Sequence, residues 1–333
     1  MKAFVVAKYG KDGLRAAEIA EPQVGANDVL VRVRAASINP LDKMVRDGEF
    51  KQLLKYKTPF VLGHDVAGVV TEVGAGVRDF EVGDEVYARP RDLRIGTFAE
   101  YIAIDESDVA PKPASLTAHE AAAVPLVALA AWQILVEQAQ LQPGQKVLVH
   151  AGAGGLGSTV IQLAKYLGAQ VATTASGARA ELVSDLGADI VIDYTKQDFS
   201  QILSGYDLVL DSLGGENLLK SLTVLKPGGL AIGVTGPPDS RFAEQLGAPA
   251  PFKLVMSFLS RKVRGAAKKL GVRYSFFFMR ASGAQLRELG ALYDAGHLRP
   301  VLDSTFPFDR TLDAMAHVES GKVKAGKVVV TLD

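Results

Sequence analysis

The run Lys146-Val-Leu-Val-His-Ala-Gly-Ala-Gly-Gly-Leu-Gly-Ser158, continuing into Thr159-Val-Ile-Gln-Leu-Ala-Lys-Tyr-Leu-Gly168, constrains this chain more than any other stretch. Val147, Leu148 and Val149 form a short aliphatic strand signal, and Val160, Ile161, Leu163, Ala164 and Leu167 then recur at helical spacing. Between them Gly152, Gly154 and Gly157 supply G-x-G-x-x-G, with Gly155 and Leu156 completing the turn. In a strand–turn–helix of this kind the first glycine permits the tight bend, the second lets backbone approach a pyrophosphate, and the third lets helix and strand pack closely. The helix N-terminus then presents free N–H groups and the positive end of its dipole to the anion. The stretch predicts a dinucleotide site.

The residues that follow extend the pattern. Gln170–Ser176 reads as a second strand, Ala180–Gly187 as a helix and Ile190–Asp193 as a third strand, which makes βαβαβ. An NAD site usually carries an Asp or Glu at the end of the second strand for the ribose 2′-OH, whereas an NADP site needs donors for a phosphate. Here that position holds Thr174, Ala175, Ser176 and, shortly after, Arg179, with no carboxylate among them. Ser176 and Arg179 both donate hydrogen bonds, and a guanidinium suits phosphate geometry. NADPH is the expected cofactor.

A chain of 333 residues exceeds what one core usually serves, so two domains are expected. Lys and Arg number 37 against 37 Asp and Glu, which leaves no electrostatic footprint for nucleic acid. The absence of cysteine removes disulfides, thiolate nucleophiles and thiolate metal ligands together. The apolar run in Met1–Lys8 is too short for a signal peptide and no stretch approaches a transmembrane span, so a cytoplasmic protein is expected. Ahead of the glycine turn the pattern is short strands: Ala3–Ala7, Asp28–Ala35, Val66–Val73, Glu85–Ala88 and Phe98–Ile104. From Ser115 the pattern turns helical, with Ser115 or Thr117 as a cap, and Leu298–Asp303 and Lys327–Leu332 are β-like again. The expected class is α/β, a β-rich domain at 1–122 and 299–333 and a doubly wound parallel sheet at 123–298.

Five segments in order carry a family resemblance: Ser37-Ile-Asn-Pro-Leu-Asp42; Gly63-His-Asp-Val-Ala-Gly-Val-Val70 with Val82-Gly-Asp-Glu-Val-Tyr87; Ala151–Gly157; Ile192-Asp-Tyr194; and Gly326-Lys-Val-Val-Val330. Together they resemble the zinc-independent quinone oxidoreductase and enone reductase branch of the medium-chain dehydrogenase/reductase superfamily. The resemblance covers nearly the whole chain. It implies a GroES-like catalytic domain followed by a Rossmann domain, with NADPH between them and a homodimer built on the last Rossmann strand. It places Ser176, Arg179 and Tyr194 at the adenosine phosphate, Asn39 and Asp42 at the nicotinamide end, and Lys327 among the cofactor residues. Thr235 and Gly236, ending a later strand, become candidate ribose or amide contacts, and Tyr274–Arg280 resembles the last strand, with Met279 and Arg280 near the active cleft as further cofactor candidates.

Zinc in this superfamily rests largely on cysteine. His64 stands where the zinc enzymes carry a ligand, but without a thiolate it reads as a turn or core histidine satisfied by backbone. Alcohol oxidation asks for a Lewis acid at the developing alkoxide. Reduction of a quinone or an activated C=C needs only donors for an enolate or quinol oxygen and alignment of the reactants. By the resemblance, related enoyl reductases and some quinone reductases have a Tyr shortly after the Asn-Pro-x-Asp motif; here Phe50 stands in its place, which leaves Lys43 or Tyr56 as the group that polarises the carbonyl. Pro251–Leu270 mixes apolar residues with bases and reads as a lid or as a membrane-surface helix. The function read from these features is NADPH-dependent reduction of quinones or α,β-unsaturated carbonyls. A protein that binds NADPH with little turnover, as a redox sensor or membrane-associated partner, is the alternative.

Overall fold

The computed structural model describes residues 1–245, 247 and 249–332. They divide into two compact units, 1–129 with 280–333, and 130–279. The sequence patterns change at 122/123 and 298/299, while the division by contacts falls inside the helix Pro125–Trp132 and between Met279 and Arg280.

The first unit begins with β1 (Lys2–Val6), β2 (Leu14–Glu18), β3 (Asp28–Ile38), β4 (Phe60–Val61), β5 (Asp65–Val73), β6 (Glu85–Ala88), β7 (Tyr101–Asp105) and β8 (Val109–Pro111). The second unit carries β9 (Lys146–Val149), β10 (Gln170–Ala175), β11 (Ile190–Asp193), β12 (Tyr206–Asp211), β13 (Leu225–Gly233) and β14 (Arg273–Phe276). The chain then returns to the first unit with β15 (Leu302–Pro307) and β16 (Lys327–Thr331).

In the first unit β2-β1-β4 form a small antiparallel sheet and β15-β16-β3-β5-β6-β8 a larger one, with β7 also paired to β3. β3 is central, and its near-continuous run of buried Val and Ala replaces the alternation expected of a strand with one wet face. Phe4, Val31, Leu62, Phe98, Ile104 and Val330 belong to the core it organises.

Two strand ends differ from the sequence pattern for local reasons. Phe98 and Ala99 lie outside β7, because Phe98 fills the core and Ala99 makes an isolated bridge to Ala3. β15 starts at Leu302, not Leu298, because the helix Gly283–Asp294 closes through Gly296 at φ +72°, and Pro300 has no N–H to give a ladder.

The second unit is a six-stranded parallel sheet in the order β11-β10-β9-β12-β13-β14. Strand order reverses between β9 and its neighbour β12, which puts a topological switch point at the carboxyl end of β9. Val147, Leu148 and Val149 are wholly buried there, and the helix Gly155–Tyr166 covers the strand with Val160, Ile161, Leu163 and Ala164. Phe276 is buried and edge-on to Phe242, and Phe278 lies 5.1 Å from the same ring, so this aromatic stripe serves packing.

Candidate functional site

The glycine turn sits at the switch point, and its three signature glycines are bare for different reasons. A Cβ on Gly152 would lie 2.0 Å from Thr173 Oγ1, and one on Gly157 would lie 2.3 Å from the Ala151 carbonyl oxygen. Both positions are closed by the protein's own atoms. A Cβ on Gly154 would meet nothing nearer than that carbonyl at 3.3 Å. Gly154 is also the N-cap of the helix Gly155–Tyr166, whose first N–H groups at Gly155, Leu156 and Gly157 lack intrahelical acceptors. Its bareness leaves backbone open for a phosphate, so this chain's residues fit a dinucleotide pyrophosphate.

His150, which the sequence reading passed over, holds this turn from below. Its ring is fully buried, with Nδ1 3.1 Å from Thr174 Oγ1 and Nε2 2.9 Å from Ser221 Oγ. Thr174 Oγ1 in turn accepts from the N–H of Ala151, which the turn keeps at φ +51°. Ser221 donates onward to Asp211, itself wholly buried. Burial pushes the imidazole down to about 4, against a smaller upward pull from Asp211. The ring is therefore neutral at neutral pH and acts as a hydrogen-bonding spacer.

At the end of β10 Ser176 and Arg179 come together, Arg179 Nη1 donating to Ser176 Oγ at 3.3 Å. Tyr194 lies beside them in the fold, its N–H bonded to the Ala175 carbonyl and its side chain 60 % exposed. The structure adds Asp193, read in sequence as the end of the third strand but given no role there, because a carboxylate was sought only at the end of the second strand. Its carboxylate would lie 2.7 Å from a Cβ on Gly177. Bonds from the Thr195 hydroxyl and N–H hold it below the usual carboxylate range. Thr235 is exposed and Gly236 packs against the Tyr274 hydroxyl, which donates to the Pro237 carbonyl. Met279 is buried in the second unit, and Arg280 opens the return to the first.

In the first unit, residues far apart in sequence meet in one buried polar cluster. Asn39 caps the helix Pro40–Asp47, with Pro40 at its first position and its own N–H bonded to Asp42 Oδ2 at 2.7 Å. Asp65, at the start of β5, accepts four donors: Ser37 Oγ at 2.8 Å, Asn39 Nδ2 at 2.9 Å, Lys327 Nζ at 3.2 Å and the Leu126 N–H at 2.8 Å. Lys327 also bonds Asn39 Oδ1. Asn39, Asp42 and Lys327 thus share one site, with Ser37 and Asp65 as members that sequence had not assigned.

His64 corrects an expectation. Its ring is satisfied not by backbone but by Asp42, 2.6 Å from Nδ1, and Nε2 is buried without a partner among the described residues. With Nδ1–H given to a carboxylate, a neutral ring keeps its lone pair on Nε2. Among the described residues no group of three His, Asp or Glu is placed to hold a metal, and the chain has no thiolate to add. The donor set does not fit catalytic zinc.

The two candidate polarising groups differ. Lys43 pairs with Asp47 at 2.9 Å on an exposed helix face, and that hydrogen bond raises its pKa further. The half-buried Tyr56 stacks on Phe60 at 4.8 Å, and its hydroxyl accepts from the Leu93 N–H at 3.1 Å. Burial raises the phenol's pKa, and Asp92 adds to the effect, so the hydroxyl stays protonated and its proton remains to be donated. Close by, Arg89 is wholly buried, bonded to Asp92 at 2.7 Å, with its Nε unpartnered among the described residues. Phe50 packs on the first unit's core.

Residues 25–114 match the alcohol dehydrogenase GroES-like domain family, and residues 186–330 match a zinc-binding dehydrogenase family. The chain is 36 % identical to a 2-methylene-furan-3-one reductase of Solanum lycopersicum, over 99 % of its length and 79 % of the relative's. It is also 36 % identical, with the same coverage, to a chloroplastic NADPH-dependent alkenal/one oxidoreductase of Arabidopsis thaliana. The solved quinone oxidoreductase of Coxiella burnetii superposes with a TM-score of 0.86 at 30 % identity, over 100 % of this chain and 99 % of that one. No described helix is long and apolar enough to cross a membrane. By these matches, and by a donor set without thiolates, the chain belongs to the zinc-independent quinone and enone oxidoreductase branch of the medium-chain dehydrogenase/reductase superfamily.

Proposed function

We propose that this protein uses NADPH to reduce the activated C=C of an α,β-unsaturated carbonyl, or a quinone, without zinc. The observation that carries the reading is Gly154, far less crowded at the switch point of the parallel sheet than Gly152 and Gly157, which the protein's own atoms close. NADPH supplies the hydride. The turn at Gly152–Gly157 takes the pyrophosphate, Ser176 and Arg179 the adenosine phosphate with Tyr194 beside them, and Thr235, Gly236, Met279 and Arg280 contribute toward the nicotinamide. In the first unit the Asn39–Asp42–Lys327 cluster, anchored on Asp65, is the candidate for nicotinamide-end contacts.

Charge that collects on the substrate's conjugated oxygen needs a donor. Of the two candidates the geometry favours Tyr56, whose protonated hydroxyl already accepts a hydrogen bond, over Lys43, whose ammonium is engaged with Asp47. The named relatives point to alkenals, alkenones and exocyclic-methylene furanones as first substrates. A homodimer through β14 completes the reading, since among the described residues that strand ends its sheet beside β13.

The test is absorbance-followed NADPH oxidation by EDTA-treated protein with 2-alkenals, linear and cyclic enones, benzoquinones and naphthoquinones, with NADH in parallel. Turnover with NADPH that survives chelation is expected. Tight NADPH binding with no turnover of any of these substrates would overturn the reductase reading, and light scattering after gel filtration checks the dimer.

A further inference from the structure

From Gln245 to Arg287 the sequence contains no Asp or Glu, although the chain as a whole balances 37 acidic against 37 basic residues. Much of this acid-free stretch folds as two consecutive helices, Ala250–Leu259 and Arg261–Lys269, on the second unit. Met256, Val263 and Ala267 are their buried anchors, and Ser260 is wholly buried at the junction. Arg264 pins that junction through Ser257 Oγ at 2.6 Å and Ser260 Oγ at 3.1 Å.

The opposite side of the pair is left to solvent in an unusual way. Leu254 is 73 % exposed, Phe258 72 %, Val255 53 % and Leu259 51 %, all within two turns of helix. Arg261, Lys262, Lys268 and Lys269 follow directly, each exposed, and none has a carboxylate partner among the described residues. Phe258, Leu259, Arg261, Lys262 and Lys269 line one shared groove of about 760 Å³. A contiguous apolar patch rimmed by unpaired cations is the arrangement that seats aliphatic groups just below a layer of anions.

We propose that this helix pair docks on an anionic phospholipid surface. Leu254, Val255, Phe258 and Leu259 enter the boundary between headgroups and acyl chains, and Arg261, Lys262, Lys268 and Lys269 meet the lipid phosphates. Charge complementarity selects this occupant. Two copies of the patch face to face would set cations against cations, which disfavours self-association through it. Nucleic acid would match the cations but leave three aliphatic side chains without a base face to stack on.

The experiment is co-sedimentation of the full chain with vesicles of phosphatidylcholine alone and of phosphatidylcholine with phosphatidylserine, across a salt series. NADPH binding of every variant serves as the check on folding. Binding to the serine-containing vesicles that weakens as salt rises is expected. Leu254→Glu with Phe258→Glu, and separately Lys262→Glu with Lys269→Glu, should each lower partitioning about tenfold or more while NADPH still binds. Wild-type protein that ignores both vesicles, or binds them equally, overturns the proposal without recourse to any variant. So does a Phe258→Glu substitution that splits a dimer into monomers, which would give the surface to a second copy. A rise in KM for an enone on that substitution, with no wild-type binding to vesicles, would instead make the segment a cover for substrate.

Discussion

At the scale of single residues, the glycine turn separates positions closed by the protein from one where its nearest atom stands at 3.3 Å. Gly157→Ala would press a methyl to 2.3 Å from the Ala151 carbonyl and should destabilise the fold by about 1–3 kcal/mol, read as a lowered melting temperature. Gly154→Ala should leave the melting temperature of NADPH-free protein nearly unchanged and weaken NADPH binding, measured by fluorescence titration; equal losses of stability in both variants would contradict this division. Tyr56→Phe removes the proposed donor and should lower kcat/KM about tenfold or more with enones, whereas Lys43→Ala stays within about twofold. A Tyr56→Phe enzyme within about twofold of wild type, roughly 0.5 kcal/mol, would take Tyr56 out of the reaction. The turn was legible in sequence because its determinants are neighbours in the chain. Asp193 was not, since its approach to Gly177 depends on β10 and β11 lying side by side.

At the scale of elements, β3, β5, β16 and the helix Pro40–Asp47 meet at the Asp65 cluster. Each motif was visible alone: Asn39-Pro40-x-Asp42 as a helix start, Asp65 beside His64, Lys327 in the last β-like run. Their union was not, because Lys327 and Asn39 stand 288 residues apart and only the pairing of β16 with β3 brings them together. A residue that reads as polar surface in a one-dimensional pattern is here nearly sealed, Lys327 being 6 % exposed. Asp65→Ala should therefore cost about 3–5 kcal/mol, the range for breaking a buried ion pair, because it takes the carboxylate from Lys327, leaving it Asn39 Oδ1, and leaves the Leu126 N–H without its acceptor. Chemical denaturation checks it: a loss below about 1 kcal/mol would mean that water or rearrangement satisfies those donors. The ends of β7 and β15 were misread for the same reason in miniature, since core packing at Phe98 and the turn at Gly296 outweigh local strand propensity.

At the scale of the whole molecule, His150 ties stability to pH. Its pKa is about 4 when folded against an ordinary 6.5, so between those values the unfolded chain binds the proton that the native ring refuses. Stability from this group is complete above about pH 6.5 and is lost as pH falls toward 4, by up to about 3 kcal/mol. His150→Gln should flatten the unfolding free energy across that window, and an unchanged slope would assign the acid sensitivity to other groups. The chain's path has a further consequence, for biosynthesis. The second unit is one unbroken stretch of sequence, while β3 must wait for β16, translated only after that whole stretch. On the ribosome the parallel-sheet unit can close as soon as it emerges, but the earlier-made unit keeps the Ala35–Ile38 end of its central strand without its β16 partner, and Asp65 without its bond from Lys327, until β16 arrives. The nucleotide half is thus built to mature first, and the N-terminal half is the one for which a nascent chain would need a chaperone.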